Sequence, residues 1–350
     1  MSTATAAHTA KAQTSTFASA LNTAMSDAME VDRSVVVFGE DVGTLGGVFR
    51  ITDGLTKRFG EDRCFDTPLA ESGIAGMAVG MAINGMRPVI EMQFDAFAYP
   101  ALEQIFSHIA KYANRTRGHV RLPIVIRIPY GGGVGGVEHH CDSSEAYYAH
   151  TAGLKVFTPA TVADAYLMLR EAIDTPDPVV FFEPKKLYWS KAEEDLSALR
   201  TQYESDSPAQ DRSIGPAGQA QVVREGTDVS IISYGPSVPT ALKAAEAAAE
   251  DGISAEVLDL RSLVPFDDDA LERTVTKTGR AVVVAEAQGF VSVASEIVAR
   301  IQERCFHSLA SPVLRVTGFD IPYPSPKLEQ HHLPDVDRII DALDELQWED

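Results

Sequence analysis

Arg63-Cys64-Phe65, followed by Asp66-Thr67-Pro68-Leu69-Ala70-Glu71-Ser72-Gly73-Ile74-Ala75-Gly76-Met77-Ala78-Val79-Gly80, reads as a short apolar strand, a proline-bearing turn and a helix of small residues. One acid, Glu71, stands at the mouth of that helix. Gly73, Gly76 and Gly80 recur at helical spacing, so a backbone or a flat ligand can come close to this face. Carboxylates are rarely fully buried without a partner, and desolvation disfavours the charged form, so an acid in this setting tends toward a raised pKa. The plain alternative is an N-terminal acid that complements the helix dipole.

Working outward, the same alternation recurs. Val35–Phe38, Pro88–Glu91, Ile124–Arg127, Lys155–Phe157 and Val179–Phe182 are short β-branched runs, apolar on both faces, as buried parallel strands are. Helical patterns at Ala101–Ala113 and Val162–Ile173 lie between them, with Thr161 and Asp164 placed as a partial capping box. Around 191–217 the periodicity breaks into charged and Ser, Gln, Asp and Pro residues, which reads as a linker. A second series follows: strands at Val229–Ser233, Ala255–Asp259, Ala281–Ala285 and Val313–Val316. A last helix after Pro334 carries its apolar stripe on Val336, Ile339, Ile340, Leu343 and Leu346. The fold class is α/β, with two open, mostly parallel-sheet domains at 16–195 and 218–350, a linker at 196–217 and a disordered tail at 1–15.

In the first domain the carboxyl ends of the strands carry Glu40-Asp41-Val42-Gly43, Asp66 to Glu71, Glu91-Met92-Gln93-Phe94 and Pro129 to His140. Open α/β sheets bind ligands at that rim, and the convergence there lifts Glu71 above the plain reading. Gly131 to Gly136 satisfies G-x-G-x-x-G formally. Pro129 and Tyr130 intervene, however, no helix follows at once and position 153 is a glycine rather than an acid, so a flexible loop over a site is the better reading. In Glu138-His139-His140-Cys141-Asp142, adjacent histidines cannot both face one metal from a regular element, which favours an imidazole that moves protons or hydrogen-bonds. Tyr147 and Tyr148 on the following helix can line the site or serve as plain core. Neither a G-x-S-x-G elbow nor a G-x-x-x-x-G-K-[ST] loop is found.

The 350 residues carry a net charge of -20, which argues against nucleic acid or anionic membrane and suits docking to a basic protein. No apolar run reaches the ~18 residues of a membrane span. Cys64, Cys141 and Cys305 lie far apart with no C-x-x-C pair, which points to a reducing compartment. The first fifteen residues lack an apolar signal core and contain one Lys and no Arg.

E-D-V-G, D-T-P-L-A-E-S-G-I-A-G-M-A-V-G, E-M-Q-F-D-A-F-A-Y-P-A-L-E-Q-I and H-C-D-S-S-E-A-Y-Y-A-H-T-A-G-L-K-V occur in order, followed by F-F-E-P-K-K-L-Y, D-L-R-S-L-V-P-F-D-D-D, K-T-G-R, E-A-Q-G-F and R-V-T-G-F-D-I-P-Y-P. Together they resemble the β subunit of a thiamin-diphosphate-dependent 2-oxo acid dehydrogenase, over nearly the whole chain beyond residue 15. F-F-E-P-K-K-L-Y and G-F-D-I-P-Y-P are more similar to the branched-chain enzyme than to the pyruvate one. The resemblance implies a thiamin pyrimidine-binding domain joined to a transketolase C-terminal-like domain. It also implies a cytoplasmic α2β2 heterotetramer whose α subunit holds the diphosphate and Mg2+, and a lipoylated acyltransferase as the next partner. In this resemblance Glu71 contacts the pyrimidine ring nitrogen. Phe97 packs on the ring, where the branched-chain family often has Tyr, and Gln93 and Glu40 border the pocket. His140 lies near the reactive thiazolium, as the candidate that protonates the departing lipoyl sulfur or steadies the carboxylate. A structural K+ is implied at Ile124, Ala172, Ile173, Thr175 and Asp177, although Thr175 replaces an acid of the pattern. The alternatives are a pyruvate or acetoin dehydrogenase β subunit and a non-catalytic scaffold for the acyltransferase.

Overall fold

The computed structural model describes residues 14–206 and 218–346. Its strands, in chain order, are β1 (Thr14–Thr16), β2 (Val35–Gly39), β3 (Cys64–Asp66), β4 (Arg87–Glu91), β5 (Val125–Tyr130), β6 (Lys155–Phe157), β7 (Val179–Pro184) and β8 (Lys191–Glu193) in the first half. The second half has β9 (Gln221–Arg224), β10 (Val229–Ser233), β11 (Ala255–Asp259), β12 (Ser262–Val264), β13 (Ala281–Gln288) and β14 (Leu314–Gly318). The first sheet runs β12-β6-β7-β5-β4-β2-β3, and the second runs β14-β13-β10-β11-β9. All pairings in the first are parallel except β12 on β6, and in the second except β9 on β11.

The both-faces-apolar reading of the strands has a direct counterpart. Val35 and Val37 of β2 face one core cluster while Val36 and Phe38 face the other, and β4, β5 and β7 divide in the same way. A strand that is covered by helices on both sides has no solvent face on which to place polar residues. The exception sits in the middle of the sheet. Arg127 of β5 is fully buried, donates to Glu91 of β4 at 2.6 Å and grips Glu183 of β7 with two bonds of 2.6 and 3.0 Å; Tyr188 donates to the same Glu183 at 2.7 Å. The arginine's fork satisfies both carboxylates, which is what allows charge into a core.

Beyond strand ends shifted by a few residues, three assignments differ from the sequence reading. Residues 14 and 15, assigned to a disordered tail, belong to β1, which pairs antiparallel with β8; 1–13 lie outside the described residues. Thr16 then caps the helix Phe17–Val31 by accepting from Ser19 N at 3.0 Å while its own amide donates to Ser19 Oγ at 2.9 Å. The assigned linker begins with a helix, Leu196–Asp206. Tyr203 is buried there, with its hydroxyl donating to Asp174 at 2.7 Å and the Arg170 guanidinium over its ring at 4.9 Å. Leu196, Leu199 and Tyr203 are at i, i+3 and i+7, a helical signal diluted by the charges around it; residues 207–217 lie outside the described residues. Finally, the helix read over Ala101–Ala113 changes pitch along its length. A 3-10 turn at Ala96–Ala101 containing Pro100 leads into a π-helical stretch at Gln104–Ile109 and a short α-helix at Tyr112–Arg115. Pro100 has no N–H to donate, and Ala110 N reaches back to Ile105 O at 2.9 Å.

The two halves share one core. Tyr130, Tyr148 and Phe182 of the first half cluster with Tyr234, Leu260 and Leu263 of the second, and β12 crosses over to extend the first sheet. Among the described residues no helix is long and apolar enough to cross a membrane.

Candidate active-site cleft

The carboxyl ends of β2, β3, β4 and β5 meet at one rim. Glu40 leaves β2, Glu71 opens the helix Glu71–Ile83 after β3, Gln93 and Phe97 follow β4, and His140 stands at the end of the loop after β5. Glu40, Leu69, Glu71, Gln93, Ala96, Phe97 and Pro100 line a cleft of about 350 Å³. The helix has Ala70 at its N-cap and no side-chain cap, so Glu71 sits beside unsatisfied backbone N–H groups.

Electrostatics within the cleft divide the two carboxyls. The sequence reading placed the strongly desolvated acid at 71, but Glu71 is half-buried and Glu40 is only 3% exposed. Burial pushes the Glu40 carboxyl up to about 6, and the negative charge of Glu71 adds to that push while the Ala70 amide opposes it. Gln93 is oriented by its Nε2, which donates to Asp41 Oδ2 at 3.1 Å; Asp41 itself adopts φ 58°.

The imidazoles stand on an aromatic floor. His140 meets the Phe94 ring edge-on at 4.4 Å and Phe97 at 5.3 Å, and His139 stacks on Phe97 at 5.6 Å with its plane 19° away. Burial lowers the His140 pKa, the neighbouring His139 and Lys185 lower it further, and Glu138 opposes them. Phe97 therefore joins the carboxylate side of the cleft to the imidazole side. Behind it, Asp95 is buried and accepts from the amide of Ser144 at 2.9 Å and from its hydroxyl, which ties the loop after β4 to the segment after His140. Asp95 and Ser144 were missed by sequence reasoning, and Phe94 figured there only as the last residue of a rim segment; the adjacency of Asp95 to that segment was the one signal. Tyr148 is core, whereas Tyr147 points outward, 56% exposed.

Two polar atoms of the site, Glu40 Oε1 and His140 Nδ1, are buried without a hydrogen-bond partner. Buried polar groups are ordinarily satisfied, so a ligand with a donor and a flat ring fits this cleft. Such a group matches the aminopyrimidine of thiamin diphosphate. Among the described residues no group of three or more His, Cys, Asp or Glu side chains could hold a metal ion.

Residues assigned to K+ lie at the opposite, amino ends of the strands. The carbonyls of Ile173 and Thr175 already accept from the Arg87 guanidinium at 3.0 and 3.2 Å, and the Ile124 carbonyl accepts from Val179 N at 2.9 Å. Lys155 donates to Thr175 Oγ1 at 2.8 Å and pairs with Asp177 at 3.3 Å. Ala172 is a buried residue of the helix Val162–Asp174. With a guanidinium and an ammonium among these oxygens, the set does not fit an added monovalent cation, because like charges repel.

Fold and cleft together define a transketolase-type protein: residues 13–190 match the transketolase pyrimidine-binding domain, and 218–339 match the transketolase C-terminal domain. The chain belongs, more narrowly, to the β subunits of 2-oxo acid dehydrogenase E1 components. It is 51% identical to the pyruvate dehydrogenase E1 component subunit beta of Leifsonia xyli, over 93% of this chain and 92% of that one. Identity is 49% to the 3-methyl-2-oxobutanoate dehydrogenase subunit beta of Mycobacterium tuberculosis, over 95% and 92%, and 44% to the 2-oxoisovalerate dehydrogenase subunit beta of Bacillus subtilis, over 93% and 97%. A solved split-gene transketolase, an inactive β4 tetramer, superposes with a TM-score of 0.74 at 22% identity, covering 94% of this chain and 97% of that one, which shows the fold alone.

Proposed function

We propose that this chain is the β half of an α2β2 decarboxylase for branched-chain 2-oxo acids, sharing thiamin diphosphate with an α subunit that holds the diphosphate and Mg2+ and passing the acyl group to a lipoylated acyltransferase. The single observation that carries the reading is the cleft: Glu71, Glu40, Gln93 and Phe97 on one rim, with His140 joined to it through Phe97. Support for a second subunit comes from the helix Glu71–Ile83. Leu69 beside it is 80% exposed, and Met77, Ile83 and nearby Met86 are exposed as well. A row of apolar side chains and bare glycines beside the cleft suits burial against another chain.

The cofactor, when bound, supplies the carbanion and electron sink that loss of CO2 from a 2-oxo acid requires. The chain's own residues do the rest. Glu71 would hold the pyrimidine ring nitrogen and exchange a proton with it. Glu40 would offer its unpartnered Oε1 to the same ring, and a donor there would offset the cost of its buried charge. Phe97 gives the ring a flat wall, and Gln93 borders it with its amide held by Asp41. His140, whose pKa burial lowers, would take up a proton and then hand it to the departing lipoyl sulfur.

Branched-chain preference rests on F-F-E-P-K-K-L-Y and G-F-D-I-P-Y-P. The pyruvate alternative is favoured by the 51% relative. Co-expression with an α subunit, followed by a panel of 2-oxoisovalerate, pyruvate and acetoin, separates them. In that heterotetramer Glu71→Gln should leave the circular dichroism spectrum unchanged and reduce decarboxylation by about 100-fold or more, the scale of a lost proton-transfer group; near-normal turnover would remove Glu71 from the mechanism.

A further inference from the structure

The loop after β5 is where the second domain enters the site. Gly131, Gly133 and Gly135 adopt φ of 77°, 81° and 68°, left-handed values that let the loop aim its amides at acceptors on other segments. Glycine-rich turns of this kind often hold anions, and here the Gly132, Gly133 and Gly135 amides meet carboxylates of the chain's own second half. Glu329, at the start of the short helix Glu329–His332, accepts from Gly133 N at 2.9 Å through Oε1 and from Gly135 N at 3.1 Å through Oε2. Tyr323 donates to the same Oε1 at 2.7 Å. Glu286, in β13, accepts from Gly132 N and pairs with Lys186 at 3.1 Å. Glu286, Glu329 and Tyr323 are all buried. At Gly132 there is no room for a side chain: a Cβ there would lie 1.7 Å from Tyr323 Oη.

What this loop delivers is the histidine pair. From Gly136 the chain passes through Val137, whose carbonyl accepts from His140 N at 2.9 Å, into the helix Glu138–Cys141. A Cβ on Gly136 would lie 2.7 Å from Cys141 Sγ and 3.2 Å from His140 Cβ, so the glycine segment sits directly on the turn bearing the imidazole. Glu329 is not among the residues lining the cleft, and its bonds go to the loop amides and to Tyr323. It fixes the amides from which His140 is hung.

We infer that Glu329 is a positioning residue of the second domain, whose carboxylate locks the Gly131–Gly136 loop and thereby sets the placement of the His140 imidazole in the cleft. This deepens the role proposed for His140 and rests on it. A carboxylate suits the task because both oxygens accept. In Glu329→Gln one end of the side chain becomes an NH2 group facing an amide N–H or the Tyr323 hydroxyl, and one loop bond is lost. Glu329→Asp keeps the charge and both acceptors on a shorter stem.

The test uses the reconstituted heterotetramer for rates and the full chain with 13C-labelled histidine for the imidazole, whose signal is assigned by its disappearance in His140→Asn. His140 is faced by His139, Glu138 and Lys185 as well as by Phe94 and Phe97, and all five stay in place in the variants. In Glu329→Gln the His140 titration midpoint shifts, and lipoyl acylation falls about 10-fold while decarboxylation read with an artificial electron acceptor falls by less than about 3-fold. Glu329→Asp restores most of the loss. The double variant Glu329→Gln/His140→Asn acylates no more slowly than His140→Asn, because two residues acting through one group are not additive. A folded Glu329→Gln chain with an unchanged His140 titration and acylation rate overturns the inference, as do losses that multiply in the double variant. Should His140→Asn alone leave acylation intact, the role given to His140 fails, and the titration shift then decides the positioning claim separately. If Glu329→Gln does not fold, Tyr323→Phe, which removes a single donor to the same carboxylate, carries the same readouts.

Discussion

Glu40 offers the sharpest quantitative test of how the cleft is built. Its carboxyl titrates near 6 in the folded chain against 4.5 for an ordinary glutamate, because burial disfavours the charge and Glu71 stands close by. A carboxyl whose folded pKa is raised contributes most at low pH, and that contribution is lost as pH rises through the folded value. The charged side chain is therefore a burden above pH 6 that Glu40→Gln removes while retaining an acceptor oxygen for the Ala70 amide. One pKa unit corresponds to about 1.36 kcal/mol, so the variant should exceed the parent by about 2 kcal/mol at pH 8 and by about 1 kcal/mol or less at pH 5. Urea unfolding of the full chain without cofactor, run from pH 5 to pH 8, measures the difference directly. A gap that stays flat across this range, or that closes as pH rises, would refute the assignment of a desolvated acid at position 40.

Arg127→Ala, which strands Glu91 and Glu183 in the sheet, should lower stability by about 3–5 kcal/mol in urea unfolding; replacing all three together (Arg127→Leu, Glu91→Gln, Glu183→Gln) should cost less than that single change. Because Arg87 and Lys155 already serve the oxygens at 173–177, thermal melts in KCl and NaCl of equal ionic strength should coincide. A bound ion at a hundredfold excess over its Kd would instead stabilise the chain by about 2.7 kcal/mol in KCl alone.

The sequence was most legible where one residue type repeats under a local rule. Strands buried on both faces leave an unbroken β-branched run, and nearly every run quoted from the sequence became a strand of a parallel sheet with a boundary shift of only a few residues. The rim at the carboxyl ends could be drawn for the same reason: once the strands are placed, the βαβ rule puts Glu40, Glu71, Gln93 and His140 on one edge. Legibility failed where stability came from elsewhere. Thr14–Thr16 is ordered by a partner strand some 180 residues on, and Leu196–Asp206 by three anchors and by Arg200, which reaches Asp27 and Glu30 at 2.9 and 2.8 Å.

Glycines at 131, 133 and 135 announce that the backbone must turn left-handed, and nothing in their spacing says what anion the turned amides will meet. That was decided by the second domain, which brings Glu286 and Glu329 onto a loop separated from them by more than 150 residues. Likewise, the sequence by itself determined that acids stand on the rim, whereas only the packed structure decided that Glu40 is the one driven from water and Glu71 the one left half-open. Local order follows from the chain's own periodicity, but the free energy of a charge depends on what surrounds it, and those surroundings exist only after distant segments have been brought together.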